Sequence, residues 1–113
     1  MKGIVVKAHR SKYPDPIEFN SGEKVILAYL NREAFGWVKV KTQDKKCGWV
    51  PTELIDINEY ESTAITRRNY NSRELNSCVD DMIEIVEELN SWYLAANQLG
   101  EVGWLPARKV SLA

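Results

Sequence analysis

The sequence predicts an all-β protein in which one small unit occurs twice. Gly48-Trp49-Val50-Pro51 returns as Gly103-Trp104-Leu105-Pro106, 55 positions later, and Trp37 and Trp92 are separated by the same spacing. Short runs of alternating apolar and polar residues, which are typical of half-buried strands, are divided by turn residues. Because a match at a fixed period indicates a duplicated architecture, the two halves are expected to share one fold.

The first half is predicted to hold five strands, at residues 4–8, 24–29, 37–41, 47–50 and 55–57. Tyr13-Pro14-Asp15-Pro16 lies in the long loop after the first of these and excludes a helix there, since proline fixes φ and keeps its predecessor extended. Val38 and Val40 alternate with their neighbours and are expected to face the core, so that Trp37 faces outward. Residues 52–54 fit one helical turn after the proline of the repeated motif.

The second half repeats this plan, with strands predicted at residues 63–66, 82–88, 92–96, 102–105 and 110–112. Residues 80–90 are ambiguous on their own, because four apolar residues of this segment fall at helical spacing. The corresponding segment of the first half favours a strand. Ile83 and Ile85 should then point inward, as Val25 and Leu27 do.

The repeat divides the 113 residues into two predicted domains, 1–57 and 63–113, joined by a polar linker at 58–62. Units of this size lie near the lower limit for an independent core, where about 60% of the unfolded surface is buried. The halves differ in charge. Residues 1–57 carry ten Lys/Arg and seven Asp/Glu, whereas residues 58–113 carry five and nine. This asymmetry indicates distinct partners, attraction between the halves, or two solvated surfaces that drifted apart.

Several function classes are not expected from the composition. The sequence contains no run of 18 apolar residues, so no membrane-spanning helix is predicted. The amino-terminal apolar run is too short for a signal peptide, and a cytoplasmic protein is therefore expected. Cys47 and Cys78 form no disulfide framework and are interpreted as small apolar fillers. His9 is expected at the surface. No nucleophile–base pair, phosphate loop, metal site or cofactor site can be assembled, so the chain is predicted not to be an enzyme.

The motifs of the first half stand in a specific order, Pro16-Ile17-Glu18-Phe19, Gly36-Trp37 and residues 48–55. The second half has its motifs in the same order, Glu74-Leu75, Asp80-Asp81-Met82-Ile83, Ser91-Trp92 and residues 103–106. This order resembles a Src homology 3 (SH3) domain, present twice and closest to the bacterial variant of the family. The resemblance covers nearly the whole chain. It implies two five-stranded barrels in tandem, each with a short 3-10 turn before its last strand, and no catalytic activity.

The resemblance also implies where a ligand would bind, because the family holds proline-rich or extended segments in a shallow aromatic groove. Carried over residue by residue, the peptide-binding candidates of the first unit are Tyr13, Asp15, Glu18, Trp37, Trp49, Pro51 and Leu54. Those of the second unit are Tyr70, Glu74, Trp92, Trp104 and Pro106. The groove tyrosine of the family is replaced by Leu54 in one unit and Lys109 in the other, so the two grooves are expected to prefer different ligands.

The predicted function is therefore a non-catalytic protein–protein interaction module that binds a proline-rich or extended peptide, with a monomer favoured. One alternative is single-stranded nucleic-acid binding, since Trp37, Lys39 and Lys41 share a strand face near Lys45 and Lys46. The slightly acidic net charge of −1 opposes this. The other alternative is cell-wall-peptide binding, which would require export. No membrane partner is expected.

Overall fold

A computed structural model describes residues 1–12, 15–28 and 36–113, together with the backbone of residues 33–34. The prediction of an all-β protein is confirmed, and the described residues contain no α-helix. The strands are β1 Lys2–Val5, β2 Glu18–Phe19, β3 Lys24–Leu27, β4 Glu33–Ala34, β5 Trp37–Lys41, β6 Cys47–Pro51, β7 Ile55–Asn58, β8 Thr63–Thr66, β9 Tyr70–Asn71, β10 Met82–Leu89, β11 Trp92–Asn97, β12 Val102–Pro106 and β13 Val110–Leu112. Two 3-10 turns, Thr52–Leu54 and Ala107–Lys109, each follow the proline of the repeated motif.

The strands pair into two larger sheets and one small sheet. One sheet has the order β12-β11-β10-β1-β13. The other has the order β4-β5-β3-β8-β7, with β6 also paired to β5, and β2 and β9 form the third sheet. The pairing of the described residues closes none of these sheets into a barrel.

The first strand of each half lies in the sheet of the other half. β1 runs antiparallel to β10 and β13, with Gly3 opposite Ile83, although β10 and β13 belong to the second half of the sequence. β8 runs antiparallel to β3 and β7, with Ala64 opposite Val25. The two sheets therefore repeat one order of equivalent strands, in which β1 and β8 have exchanged places.

The exchange continues into the long loops that follow these strands. Phe19 of β2 lies opposite Tyr70 of β9, and His9 forms an equivalent bridge to Ser77. The first arm of each loop is thus paired with the returning arm of the other loop. His9 and Tyr70 occupy corresponding positions, as do Ser77 and Phe19.

The exchange changes where the chain divides. The compact units are Met1–Pro14 with Arg73–Ala113, here called the discontinuous unit, and Asp15–Ser72, the continuous unit. The sequence places the boundary at 58–62, because the linear repeat ends there. The structure divides the chain within the two long loops instead, because β1 and β8 satisfy their backbone hydrogen bonds in the opposite sheets.

The division accounts for the uneven charge of the sequence. Residues 1–14 carry four Lys/Arg and no Asp/Glu, and residues 73–113 carry three Lys/Arg and seven Asp/Glu. The discontinuous unit combines these segments and is neutral overall. Of the three explanations left open by the sequence, attraction between the halves is the one that this arrangement supports.

The predicted inward phases of the strands are confirmed in both units. Val38, Val40 and Val50 are buried in the continuous unit. Ile83 and Ile85 of β10 are buried in the discontinuous unit, so the segment that resembled a helix is a strand. The core of the discontinuous unit is made by Val5, Leu75, Ile83, Ile85, Ala95 and Leu105, with Tyr93 and Val110 packed against it.

The glycines of the repeated motif are required by close packing. A Cβ atom on Gly103 would lie 2.7 Å from the backbone nitrogen of Leu75, and one on Gly48 would lie 3.0 Å from the side chain of Ile17. Leu75 and Ile17 belong to the returning arms of the long loops. The glycine of each motif therefore lets the returning arm pack closely against the sheet, directly before the second tryptophan of the unit.

Candidate functional site

Each unit places a partly exposed tryptophan directly opposite a buried proline. Trp92 of β11 is the cross-strand neighbour of Pro106 in β12. Trp37 of β5 is the cross-strand neighbour of Pro51 in β6. Directly opposed residues of antiparallel strands share a face with Cβ atoms about 5 Å apart. The structure thus brings together the two residues of each unit that the sequence placed in a common binding surface.

In the discontinuous unit, a chain of three polar side chains borders this surface. Nε2 of His9 lies 2.7 Å from Oε1 of Glu74, and Nζ of Lys109 lies 2.9 Å from Nδ1 of His9. The ring of His9 meets the ring of Trp92 edge-on, with centroids 5.8 Å apart. We call His9, Glu74, Lys109, Trp92 and Pro106 the Trp92 surface.

The direction of these two hydrogen bonds follows from the chemistry of Lys109 and Glu74, the two outer side chains. An ammonium only donates hydrogen bonds and a carboxylate only accepts them. Lys109 therefore donates to Nδ1 of His9, and Nε2 of His9 donates to Glu74, which assigns the imidazole proton to Nε2. His9 is 6% exposed and the side chain of Glu74 is 11% exposed, so water competes little for either bond.

The pKa of Lys109 lies below the ordinary value for lysine. The main cause is burial, which disfavours the charged form, and the neighbouring charges of Arg108, Lys7 and Lys12 add to it. The backbone amides of residues 6 and 7 both bond to the carbonyl of Lys109, which brings the amino-terminal arm beside the 3-10 turn. Positive charge is therefore concentrated next to the Trp92 surface.

In the continuous unit, the corresponding positions carry no charged side chain. Tyr70 replaces His9, Pro16 replaces Glu74, and Leu54 replaces Lys109 as the last residue of the 3-10 turn. Tyr70 and Leu54 are buried, and the ring of Tyr70 packs on Phe19 with centroids 5.5 Å apart. We call Trp37, Pro51, Leu54, Tyr70 and Pro16 the Trp37 surface.

The remaining candidates occupy three different settings. Asp15 is exposed and pairs with Lys46 at 2.9 Å, which raises the pKa of that lysine. Glu18 is exposed on β2, where its carboxylate accepts a hydrogen bond from Asn71. Tyr13 lies outside the described residues. Asp15 is thus already neutralised by a neighbour, and Glu18 is the acidic candidate of the continuous unit that remains without an ion pair among the described residues.

The second tryptophan of each motif has a supporting position. Trp104 is buried and its backbone pairs in parallel with Glu74, whereas Trp49 is half-buried opposite Lys39. Each precedes an inward residue of its strand, so alternation predicts that both face outward and are partly covered. Trp104 is covered more completely than expected, because the arm at residues 73–75 runs along it.

Two expectations from the sequence are wrong. His9 was expected at the surface but is buried. The prediction failed because the partners of His9 lie 65 and 100 positions away in the sequence, and no local pattern indicates them. Cys47 and Cys78 were interpreted as apolar fillers, yet both are exposed free thiols. Basic residues are concentrated at the amino terminus and acidic residues in the last part of the chain. This complementary distribution was the signal that could have indicated that His9 has partners there.

Within the described ranges, no group of His, Cys, Asp and Glu side chains could hold a metal ion. No helix among these residues is long and apolar enough to cross a membrane. Comparison of the chain with models of protein families, with curated proteins and with solved structures found no match.

Proposed function

We propose that the chain is a non-catalytic binding protein, each of whose units holds an extended segment of a partner protein against its tryptophan–proline pair. The observation that supports this is the repeated placement of a half-exposed indole over a buried proline, Trp92 over Pro106 and Trp37 over Pro51. Tryptophan offers a large rigid apolar face with one hydrogen-bond donor, which suits the recognition of a peptide.

The order of motifs and the equivalent sheet orders support a finer assignment. Each unit is a variant of the SH3 arrangement in which the first strand and the first arm of the long loop come from the other half of the chain. An extended, proline-rich segment loses little entropy on binding to such a surface. A single surface of this size would bury less than about 1,200 Å² and bind weakly, so engagement of both units by one partner would raise the apparent affinity.

A capture experiment in the native cells tests this function. The wild-type chain should retain a protein that the Trp37→Ala/Trp92→Ala variant does not retain. Tyr60→Ala is the matched control, because Tyr60 is fully exposed in the turn between β7 and β8 and lies on neither surface. Circular dichroism of each variant establishes that the fold is intact.

The captured segment is then synthesised and titrated into the ¹⁵N-labelled wild-type chain. The indole N–H signals of Trp37 or Trp92 should shift with a saturable dependence on peptide concentration. A captured segment that moves neither signal would overturn the proposed function.

A further inference from the structure

We propose that the Trp92 surface binds the carboxylates of an acidic peptide segment, whereas the Trp37 surface takes an uncharged apolar segment. This inference rests on the proposed function and specifies the ligand class of each unit. It depends on the presence of Lys109, His9 and Glu74 at positions where the continuous unit has three uncharged residues.

The first support is the fixed position of the Lys109 ammonium. Its bond to Nδ1 of His9 uses one of its three N–H donors, and the bond from His9 to Glu74 holds the imidazole in place. Two donors remain for a ligand. A lysine anchored in this way loses less side-chain entropy when it meets an anion than a freely rotating lysine does.

The second support is the basic patch around this ammonium, formed by Lys7, Lys12, Arg108 and Lys109. Lys7, Lys12 and Arg108 are near enough to Lys109 to lower its pKa. All three are exposed, and within the part of the chain that the structure describes none of them takes part in an ion pair. Like charges held together without counter-ions favour the approach of an anion.

Glu74 does not neutralise this patch for a ligand. Its carboxylate is largely buried and accepts the hydrogen bond of His9. Two other acids of the unit are engaged elsewhere, since Glu84 pairs with the amino terminus and Glu101 with Arg73. The exposed side of the basic patch is therefore available to carboxylates that lie beside the indole of Trp92.

An acidic peptide fits better than a nucleic acid. The discontinuous unit carries as many acidic as basic residues, and the whole chain has a net charge of −1. A nucleic acid presents a continuous row of phosphates that would meet these acids, whereas a peptide presents a few carboxylates at one place. At the positions that correspond to Lys109 and Glu74, the Trp37 surface has Leu54 and Pro16, so it lacks the anchored ammonium of the Trp92 surface.

The test uses the full ¹⁵N-labelled chain and two acetylated, amidated peptides of about ten alanines and prolines. The peptides differ at two positions, which are glutamate in the acidic peptide and glutamine in the neutral one. The acidic peptide should move the indole signal of Trp92 at about tenfold lower concentration than the neutral peptide does, in line with the strength of charge-assisted hydrogen bonds. The neutral peptide should act first on Trp37.

Two variants locate the effect. Arg108→Gln and Lys7→Gln should each weaken the response of Trp92 to the acidic peptide severalfold and leave the response of Trp37 unchanged. Lys24→Gln, an exposed position of β3 in the continuous unit, should change neither response. Both test positions are exposed, so the fold should survive the substitutions.

The outcomes separate this inference from the proposed function. Equal binding of both peptides at Trp92, or no effect of either variant, overturns the preference for carboxylates while peptide binding stands. No shift of Trp37 or Trp92 with either peptide overturns both. Displacement of the acidic peptide by a short oligothymidylate, with affinity that falls steeply with salt, would assign the patch to nucleic acid instead.

Discussion

Nε2 of His9 donates a hydrogen bond of 2.7 Å to Oε1 of Glu74, which lies 65 positions further along the chain. The bond joins the amino-terminal arm to the segment that begins at residue 73, the two parts of the discontinuous unit. Lys109 completes the chain from the other side of the imidazole. One buried side chain thus connects the exchanged arm to both the loop and the 3-10 turn.

His9→Ala should destabilise the discontinuous unit. The substitution leaves a cavity beside Trp92 and removes the partner of a largely buried carboxylate, which costs about 2–3 kcal/mol in the free energy of unfolding. His9→Tyr should cost less, because tyrosine occupies the corresponding position 70. Urea denaturation of the purified variants measures the difference.

Amide hydrogen exchange shows whether the loss is local. Exchange at Val5 and Ile85 should become faster in His9→Ala, while exchange at Val25 and Val40 of the continuous unit should not change. Unaltered exchange at Val5 would contradict a structural role of the His9–Glu74 bond.

A fragment of residues 15–72 should fold alone. It contains β2 to β9, and every strand of its sheets finds its partners inside these bounds. A fragment of residues 15–61 should remain unfolded, because loss of β8 leaves β3 and β7 without their common neighbour. Dispersion of the amide signals in ¹H–¹⁵N spectra distinguishes the two states. A folded 15–61 fragment would show that β8 is dispensable.

The sequence predicted the longer strands and their inward faces well because these depend on local patterns, whereas the two-residue strands β2, β4 and β9 were not predicted. Alternation places Val38 and Val40 in the core, and the repeat identifies β10 as a strand despite its helical spacing. Local patterns do not say which sheet a strand joins. β1 and β8 are both short and each buries a small residue, Gly3 or Ala64, so the local pattern of neither strand says which sheet it joins.

The candidate site was predictable in part for the same reason. The tryptophan–proline pairs follow from the repeat, since each pair lies on two adjacent strands of one half. The polar chain of the Trp92 surface does not, because His9 comes from the other half. Once β1 is placed beside β10, however, His9 must lie near Glu74, and its environment follows from the topology.

Gly103→Ala should be more destabilising than Gly48→Ala. The new Cβ at 103 would meet backbone atoms of the arm at residues 74–75, the nearest at 2.7 Å, and backbone cannot move aside without breaking the bond between Leu75 and Trp104. At 48 the nearest contact is with the side chain of Ile17 at 3.0 Å, which has to shift by only a few tenths of an ångström. We expect a loss of about 2–3 kcal/mol at 103 and about 1 kcal/mol at 48 from thermal or urea unfolding. Equal losses would contradict the close approach of the arm.

Lys109 should titrate below the ordinary lysine value of 10.5, because burial and the charges of Arg108, Lys7 and Lys12 lower its pKa. A lysine with a lower pKa in the folded chain than in the unfolded chain destabilises the fold while it is charged. This penalty is complete below the folded pKa and disappears as the pH rises through that value towards the unfolded pKa.

Side-chain ¹⁵Nζ chemical shifts, followed from neutral to alkaline pH, measure the titration of Lys109 directly. Arg108→Gln should raise its midpoint, since one repelling charge is removed, and Lys24→Gln should leave it unchanged because Lys24 belongs to the continuous unit. Addition of an acidic peptide should raise the midpoint further, because a carboxylate beside the ammonium stabilises its charged form. A midpoint that is insensitive to both Arg108→Gln and the peptide would mean that the basic patch does not act on Lys109.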